Sequence, residues 1–401
     1  AASRGLSGDR AHKGLGGSRL RGAEGEGAPM TEILICANNI DELGGAQRVV
    51  HLLADGLHRR GHDVTAIGMT PFEPAHEIPW DCPRRVLMPE VWPKKSAQTE
   101  RIRSNLRATA VAQMVELLRS IGPDPGVIIT AQVWSMEIVA DALAVLNPAT
   151  RARWKVIGQY HGSFAAAASG RDLARVQRSY RDVSIFTALS KEDAAAFTGA
   201  GLRNMRSMPN PLAFWPPAPA ALSANAGVLT YLGRLSHEKG VDLLLDAWSL
   251  LADRHPQWRM RIVGDGPLAG DLRDQAAVLA GAERIEWEAP TADPASVLLE
   301  SDLVAVPSRT EGLPLVIAEA GASGVPVVAT DCSSGVRQLV GTWGRLAPRE
   351  DSRALAGVLD AVMGDAKWRS EAGQRARHEM ERYRLDAVLD SWERLIGHVL
   401  Q

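Results

Sequence analysis

The sequence predicts an α/β protein with two doubly wound parallel-sheet domains that face each other across a cleft. From Met30 onward, short apolar segments alternate with segments of helical spacing, which is the pattern of parallel βαβ units. This alternation occurs twice, before and after a proline-rich segment at 209–219 that no regular element can accommodate. With 401 residues, the chain is also longer than one hydrophobic core usually fills. Two Rossmann-like domains joined by the proline-rich segment are therefore expected.

The predicted strands are short runs of apolar and β-branched residues between helical segments. The first half of the chain holds five of them, at 33–37, 64–67, 127–130, 156–158 and 184–188. The second half holds four, at 228–232, 260–263, 303–306 and 325–329. They predict an N-terminal domain at 30–208, a linker at 209–226 and a C-terminal domain at 227–382.

The two ends of the chain have different compositions. Residues 383–401 carry apolar side chains at helical spacing, and we predict a helix that crosses back to the N-terminal domain; packing on its own domain is the alternative. Residues 1–29 are rich in Gly, Arg, Ala and Ser and contain no aromatic or β-branched residue. Such a segment cannot bury enough apolar surface to fold, so we predict a disordered leader before a natural start at Met30.

Composition and charge exclude several classes of protein. The net charge of −2 and the pI of about 6.6 provide no overall basic field for nucleic acid. The three cysteines, Cys36, Cys82 and Cys332, are too few and too widely spaced for a disulfide framework or a zinc site. No apolar run is long enough to span a membrane, and the N-terminus lacks the apolar core of a signal peptide. We therefore expect a cytoplasmic protein, with contact at the inner face of the cell membrane as a further option.

Two carboxylates eight positions apart follow the strand predicted at 303–306. Glu311 lies in a turn with Gly312 and Pro314, and Glu319 lies in the helix that follows. Open α/β sheets bind ligands at this carboxyl edge, where helix N–H groups point. In isolation, both glutamates would be interpreted as solvated surface residues. Glu319 is instead surrounded by small and apolar residues, so we predict that the pair binds two hydroxyl-bearing parts of one ligand.

The segment from Glu311 to Glu319, together with residues 324–330, resembles a known signature. It is similar to the Glu-x7-Glu phrase of nucleotide-sugar-dependent, retaining glycosyltransferases with the GT-B fold, of the family 4 type. The resemblance implies that Glu311 lies at the transferred sugar and that Glu319 holds the ribose hydroxyls. It also implies donor contacts from Gly312-Leu313-Pro314.

A second segment, Gly233 to Gly240, connects a predicted strand to a helical run. A turn with glycine at both ends exposes backbone N–H groups, and Arg234 and Lys239 add two positive charges, which suits a diphosphate. Alone, the segment could be a solvated basic loop, but it resembles the Gly-Arg-Leu…Lys-Gly pattern of the same family. The sequence contains no Asp-x-Asp metal motif. We therefore expect the two cations to stabilise the leaving group, with no metal and no other cofactor.

Three weaker features complete the predicted site. Gly264 and Gly266 flank a turn after a strand, which alone indicates only a tight turn; the resemblance implies that it lines the nucleotide site. Gly45 opens the first long helix, where a helix N-terminus favours an anion, and the resemblance implies that it lies against the donor phosphates. His161 follows a strand, and the resemblance implies a positioning role near the transferred sugar.

The predicted activity is retaining, metal-independent transfer of a hexose from a nucleoside diphosphate, UDP more than GDP. Ala289 stands where the family usually has glycine, which leaves the nucleobase open. Two other classes remain. One is a sugar-nucleotide-binding protein without transfer activity, and the other is a Rossmann-type oxidoreductase, although the Gly-x-Gly-x-x-Gly fingerprint is missing.

The acceptor is predicted from weaker patterns. Residues 331–336 resemble a phrase of branches that act on polyprenyl-diphosphate carriers or teichoic-acid chains, although Val336 stands where proline is usual. This favours a cell-surface glycan, a lipid-linked acceptor or a polymer acceptor. Basic residues between Lys94 and Arg107 accompany apolar residues at helical spacing, which predicts either a weak peripheral membrane contact or a solvated helix face.

Overall fold

The computed structural model describes residues 31–42, 44–73, 78–96, 98–170, 172–224 and 226–401. The leader predicted at 1–29 lies outside these residues. The described chain forms two separate sheets whose paired strands all run parallel, with helices between most consecutive strands. The predicted α/β fold class, with two doubly wound sheets, is confirmed.

The first sheet has seven strands in the order β3-β2-β1-β4-β5-β6-β7. These are β1 (Glu32–Ala37), β2 (Asp63–Gly68), β3 (Arg84–Val86), β4 (Gly126–Thr130), β5 (Trp154–Tyr160), β6 (Ile185–Ala188) and β7 (Met205–Ser207). The helices between them are α1 (Gly45–Arg59), α2 (Glu100–Ser120), α3 (Val133–Ala144), α4 (Pro148–Ala152), α5 (Phe164–Ser169), α6 (Asp172–Ser179) and α7 (Lys191–Gly199). The strand order reverses between β1 and β4, and a crevice opens there at the carboxyl edge.

The second sheet has six strands in the order β10-β9-β8-β11-β12-β13. These are β8 (Gly227–Leu232), β9 (Trp258–Val263), β10 (Ile285–Glu288), β11 (Leu303–Val306), β12 (Val327–Thr330) and β13 (Arg345–Ala347). The helices are α8 (Val241–Ser249), α9 (Ala269–Ala277), α10 (Pro294–Leu299), α11 (Leu315–Ala322), α12 (Ser334–Val340), α13 (Ser352–Met363) and α14 (Ala366–Met380). Three short 3₁₀ turns lie at His237–Lys239, Ala282–Arg284 and Glu381–Tyr383. Here the order reverses between β8 and β11.

Four strands that the sequence did not predict are β3, β7, β10 and β13. They are the edges of the two sheets. An edge strand has a neighbour on one side only and a largely solvated surface, so it does not need a continuous apolar run. In β3, for example, both arginines of Arg84-Arg85-Val86 are exposed. The nine predicted strands are the interior strands of the two sheets.

The last helix, α15 (Leu385–Leu400), packs on the N-terminal domain against α1. Its buried side chains join the core on that face of the first sheet; they are Val388, Leu389, Trp392, Leu395 and Ile396. Gly56 of α1 makes the close packing possible, because a Cβ there would lie 2.7 Å from a methyl group of Leu389. At the end of α1, Arg60 forms ion pairs with Asp390 and Glu393, at 2.7 and 2.8 Å.

The proline-rich linker lies along the C-terminal domain. Its described residues form no helix or strand before β8 begins at Gly227. The backbone N–H of Leu212 donates to the carbonyl of Tyr383 at 2.8 Å, and that of Ala220 donates to the carbonyl of Ser323, also at 2.8 Å. These bonds hold the linker in place without regular secondary structure.

The basic stretch from Lys94 to Arg107 is helical only from Glu100 onward, where α2 begins. α2 packs against α3 and buries Leu106, whereas Ile102 is 47% exposed. Among the residues that the structure describes, no helix is both long and apolar enough to cross a membrane.

Candidate active site

Two loops meet at the point where the strand order of the second sheet reverses. One follows β8 and spans 233–240; the other follows β11 and spans 307–314. Gly240 makes their approach possible, because it has a left-handed backbone with φ of 65° and a Cβ there would lie 2.1 Å from the carbonyl oxygen of Pro307. The N–H of Arg309 also donates to the carbonyl of Glu238 at 2.8 Å. The two loops therefore form one surface in the crevice where doubly wound sheets bind ligands.

Lys239 and Glu311 are brought together by these loops. The Nζ of Lys239 donates to Oε1 of Glu311 at 2.7 Å, and the hydroxyl of Ser308 donates to the same oxygen at 2.8 Å. The side chain of Glu311 is 10% exposed and that of Lys239 is 29% exposed. The pair thus presents a cation and a carboxylate side by side, which suits a ligand with an anionic group next to hydroxyl groups.

The turn at Gly264 and Gly266, which was predicted to line the nucleotide site, lies beside the loop that carries Lys239. The N–H of Leu235 donates to the carbonyl of Asp265 at 2.9 Å, so the loop after β8 and the turn at Gly264 and Gly266 pack backbone against backbone. Arg234 is exposed at this junction, and its side chain has no ion-pair partner among the described residues. Its guanidinium is therefore available to an anion.

His161 reaches the site from the N-terminal domain, directly after β5. Its backbone carbonyl packs on Gly312, where a Cβ would lie 2.1 Å from that oxygen. Burial lowers the pKa of the His161 imidazole to about 4, so the ring is neutral at pH 7. Its Nε2 atom is buried and has no hydrogen-bond partner within the described part of the chain. A neutral imidazole with a free nitrogen can hydrogen-bond a hydroxyl group of a ligand.

Gly45 also lies at the boundary between the domains, at the first residue of α1. A Cβ at Gly45 would lie 3.9 Å from a methyl group of Leu315, the first residue of α11. Leu313 is buried in the C-terminal core, and Pro314 occupies the N-cap of α11. The N-termini of α1 and α11 are therefore neighbours across the cleft.

Glu319 lies one helical turn further along α11 and is almost completely buried, at 3% exposure. Arg48 of α1 donates to its Oε1 at 2.6 Å. Burial raises the pKa of the Glu319 carboxyl, and the Arg48 guanidinium opposes that rise. The sequence indicated that Glu319 needs a partner but did not identify Arg48 as that partner. The signal that was available is that Arg48 lies three residues after Gly45, which was predicted to face the donor.

A buried polar cluster joins the domains on one side of the cleft. Asp193, on α7, accepts hydrogen bonds from the hydroxyls of Ser190 and Ser334, at 2.7 and 2.6 Å. Nearby, Arg337 of α12 forms an ion pair with Glu192 at 2.7 Å. Sequence reasoning missed this cluster, because no local pattern relates residues of α7 to residues of α12.

The acidic and histidine side chains of the site do not form a metal centre. Within the described ranges, no group of three or more His, Cys, Asp or Glu side chains is arranged to hold a metal ion.

Two protein-family models match the two halves of this chain. The model described as Glycosyltransferase Family 4 covers residues 43–213, and the model described as Glycosyl transferases group 1 covers residues 226–365. The protein is a glycosyltransferase. Its fold agrees with this assignment: the crystal structure of HepE from Anabaena in complex with UDP superimposes with a TM-score of 0.72 at 20% identity, over 92% of this chain and 100% of that one. The glycosyltransferase therefore has the GT-B fold.

Relatives are recognisable over nearly the whole chain. An uncharacterized glycosyltransferase of Haemophilus influenzae is 27% identical over 364 residues, which is 89% of this chain and 98% of that protein. The amylovoran biosynthesis glycosyltransferase AmsD of Erwinia amylovora is 22% identical over 375 residues, which is 92% of this glycosyltransferase and 100% of AmsD.

Proposed function

We propose that the protein transfers a hexose from a UDP-sugar with retention of anomeric configuration and without a metal ion. The observation that carries this proposal is the Lys239–Glu311 pair at the reversal point of the second sheet, with Arg234 exposed beside it. A diphosphate needs cations and backbone N–H groups, and a sugar needs hydroxyl acceptors. Both requirements are met within one short stretch of surface.

In the proposed reaction, Arg234 and Lys239 bind the diphosphate of the donor. The bond between the anomeric carbon and the phosphate oxygen breaks, and negative charge on the leaving diphosphate increases. These two cations therefore stabilise the transition state more than the bound donor, which is the condition for catalysis. The acceptor oxygen bonds to the anomeric carbon on the same face, and its proton passes to the departing phosphate.

The remaining residues orient the donor. Glu311 accepts hydrogen bonds from hydroxyl groups of the sugar, and Glu319 accepts them from the ribose. His161 is neutral at pH 7, so it positions the sugar by hydrogen bonding and does not act as a permanent cation. Gly45 and the turn at Gly264 and Gly266 allow the backbone to approach the nucleotide closely.

The proposed classes of donor and acceptor are supported by what related proteins bind or are named for. HepE has been crystallised with UDP and with UDP-glucose, which supports UDP as the nucleotide. AmsD is named for amylovoran biosynthesis. A structure of a TarM mutant from S. aureus, which superimposes on this fold with a TM-score of 0.62 at 18% identity, contains UDP together with alpha-GlcNAc-glycerol. We therefore propose a cell-surface glycan, a lipid-linked acceptor or a polymer acceptor, with weak contact between the basic start of α2 and the inner face of the membrane.

A thermal-shift panel of UDP, GDP, ADP and their sugars tests the donor. A ligand at 100 times its Kd stabilises the folded state by about 2.7 kcal/mol, so UDP and one UDP-hexose are expected to raise the Tm. A panel without any shift would refute the donor site. Proton NMR of the product is expected to show the anomer of the donor, and an inverted product would refute retention.

The proposed stabilisation of the leaving diphosphate by Arg234 and Lys239, without a metal ion, has its own test. Turnover is expected to survive EDTA, and Lys239→Ala is expected to lower it on the order of a hundredfold. Lys367→Ala is the control, because Lys367 is 87% exposed on α14 and forms only a 3.9 Å pair with Glu371. Strict dependence on added Mn²⁺ or Mg²⁺ would contradict the proposal.

A further inference from the structure

The Arg48–Glu319 ion pair connects α1 of the N-terminal domain with α11 of the C-terminal domain. The two residues are 271 positions apart in sequence, and their charged atoms are 2.6 Å apart. Arg48 is 36% exposed and Glu319 is 3% exposed. The carboxylate has therefore been removed from water, and the guanidinium is the group that compensates for this loss.

We propose that Arg48 is a positioning residue for nucleotide binding: it orients the Glu319 carboxylate for the ribose hydroxyls and so couples binding of the nucleotide to contact between the two domains. This inference rests on the proposed function, because it takes Glu319 as the ribose-binding residue.

The hydrogen bonding of Glu319 supports positioning. Arg48 binds Oε1, and no described residue donates a side-chain hydrogen bond to Oε2. Ribose offers two neighbouring hydroxyl groups, and an ionised carboxylate has enough lone pairs to accept from both the guanidinium and the ribose. If Arg48 were absent, burial would favour the neutral acid, which is a poorer acceptor of hydroxyl hydrogen bonds.

The position of Arg48 supports the coupling. It lies within the first turn of α1, and Gly45 at the start of that helix is in contact distance of Leu315 at the start of α11. Holding Arg48 at Glu319 therefore also holds the N-terminus of α1 next to the donor surface. A nucleotide that stabilises the ionised Glu319 strengthens the bond to Arg48, and by linkage the domain contact strengthens nucleotide binding.

The test measures binding of UDP by calorimetry and donor kinetics for a set of variants. Arg48→Ala is expected to weaken UDP binding about tenfold, which corresponds to about 1.4 kcal/mol, and to raise the donor KM while kcat changes little. Arg48→Lys keeps the charge and is expected to retain most of the affinity. Arg59→Ala is the matched control: it lies on the same helix and loses a 2.6 Å pair with Asp81, but both side chains are 54% exposed.

A double-mutant cycle separates positioning from a general effect on folding. In the Glu319→Gln background, Arg48→Ala is expected to have no further effect on UDP affinity, because the group that it positions is already altered. Additive effects of the two substitutions would overturn the inference. Equal or tighter UDP binding by Arg48→Ala would also overturn the inference, because it would mean that Arg48 competes with the ribose for Glu319. If wild-type protein binds no nucleotide at all, the proposed function fails instead.

Discussion

Replacing Gly240 with alanine is expected to separate the two loops that form the candidate site. Gly240 has φ of 65° and ψ of 26°, and a non-glycine residue in this left-handed conformation costs about 1–2 kcal/mol. The new Cβ would lie 2.1 Å from the carbonyl oxygen of Pro307, although Cβ atoms essentially never come closer than 3.0 Å to such an atom. The loops must therefore move apart by roughly 1 Å, and overpacking of this kind costs a further 1–3 kcal/mol or so. We expect a total loss of about 2–5 kcal/mol in unfolding free energy.

The same displacement acts on the contact between Lys239 and Glu311, which the proposed mechanism uses. Lys239 is adjacent to Gly240, and its 2.7 Å bond to Glu311 spans the two loops. A shift of roughly 1 Å takes that bond beyond hydrogen-bonding distance and is expected to lower turnover by on the order of a hundredfold.

Urea unfolding and donor turnover measure the two effects. Gly357→Ala is the matched control: Gly357 is an exposed residue within α13, and no atom would lie within 4 Å of its new Cβ. That substitution is expected to stabilise the protein by roughly 0.5–1 kcal/mol and to leave turnover unchanged. If Gly240→Ala were as stable and as active as wild type, the close contact between the loops would not matter for the site.

Four further substitutions test individual carboxyl and imidazole groups. In calorimetry with bare UDP, Glu319→Gln should weaken binding by roughly 1.5–3 kcal/mol, whereas Glu311→Gln should bind UDP normally and lose turnover; equal losses of affinity would show that their roles are misassigned. His161 has a pKa of about 4 in the folded state, whereas an unperturbed histidine has a pKa of 6.5, so the free energy of unfolding falls as the pH drops through this interval. His161→Gln should remove that slope and gain at most about 3 kcal/mol relative to wild type between pH 7 and pH 4 in urea unfolding, and an unchanged slope would contradict the buried neutral ring. Burial and the nearby Asp63 raise the pKa of Glu32 from 4.5 to about 7. The contribution of the protonated Glu32 to the free energy of unfolding is therefore lost as the pH rises through that range. A pKa change of this size corresponds to about 3 kcal/mol, and solvent screening at the partly exposed Glu32 reduces this, so Glu32→Gln should be about 1 kcal/mol more stable than wild type at pH 8 and should show no gain at pH 4.5; a gain of equal size at both values would exclude titration as the cause.

The interior of each sheet was predictable from the sequence because its strands are buried on both faces. β1 and β4, for example, are continuous apolar runs, and such runs have few alternative interpretations. β3 and β7 were not predicted, because their residues are partly solvated and too few to show a period.

The residues of the candidate site also divide into those that the sequence predicted and those that it did not. Lys239 and Glu311 were recognisable because each lies in a glycine-containing turn after a strand, which is a local pattern. Arg48 and the cluster of Asp193 with Ser334 were not, because their contacts join residues 271 and 141 positions apart. A local sequence window shows that Arg48 lies near Gly45, but it does not show that this arginine will face the buried Glu319 after the two domains have packed.

The packing of α15 on α1 has a consequence for the order in which the chain acquires its structure during synthesis. The ribosome makes the first sheet early, yet the helix that covers one face of it is made only after the whole C-terminal domain. Until then, the groove beside Gly56 that receives Leu389 and Trp392 has no covering helix, and apolar surface remains exposed to water. The core of the N-terminal domain is therefore complete only after residues 385–400 have been made, so its maturation waits for synthesis of the C-terminal domain.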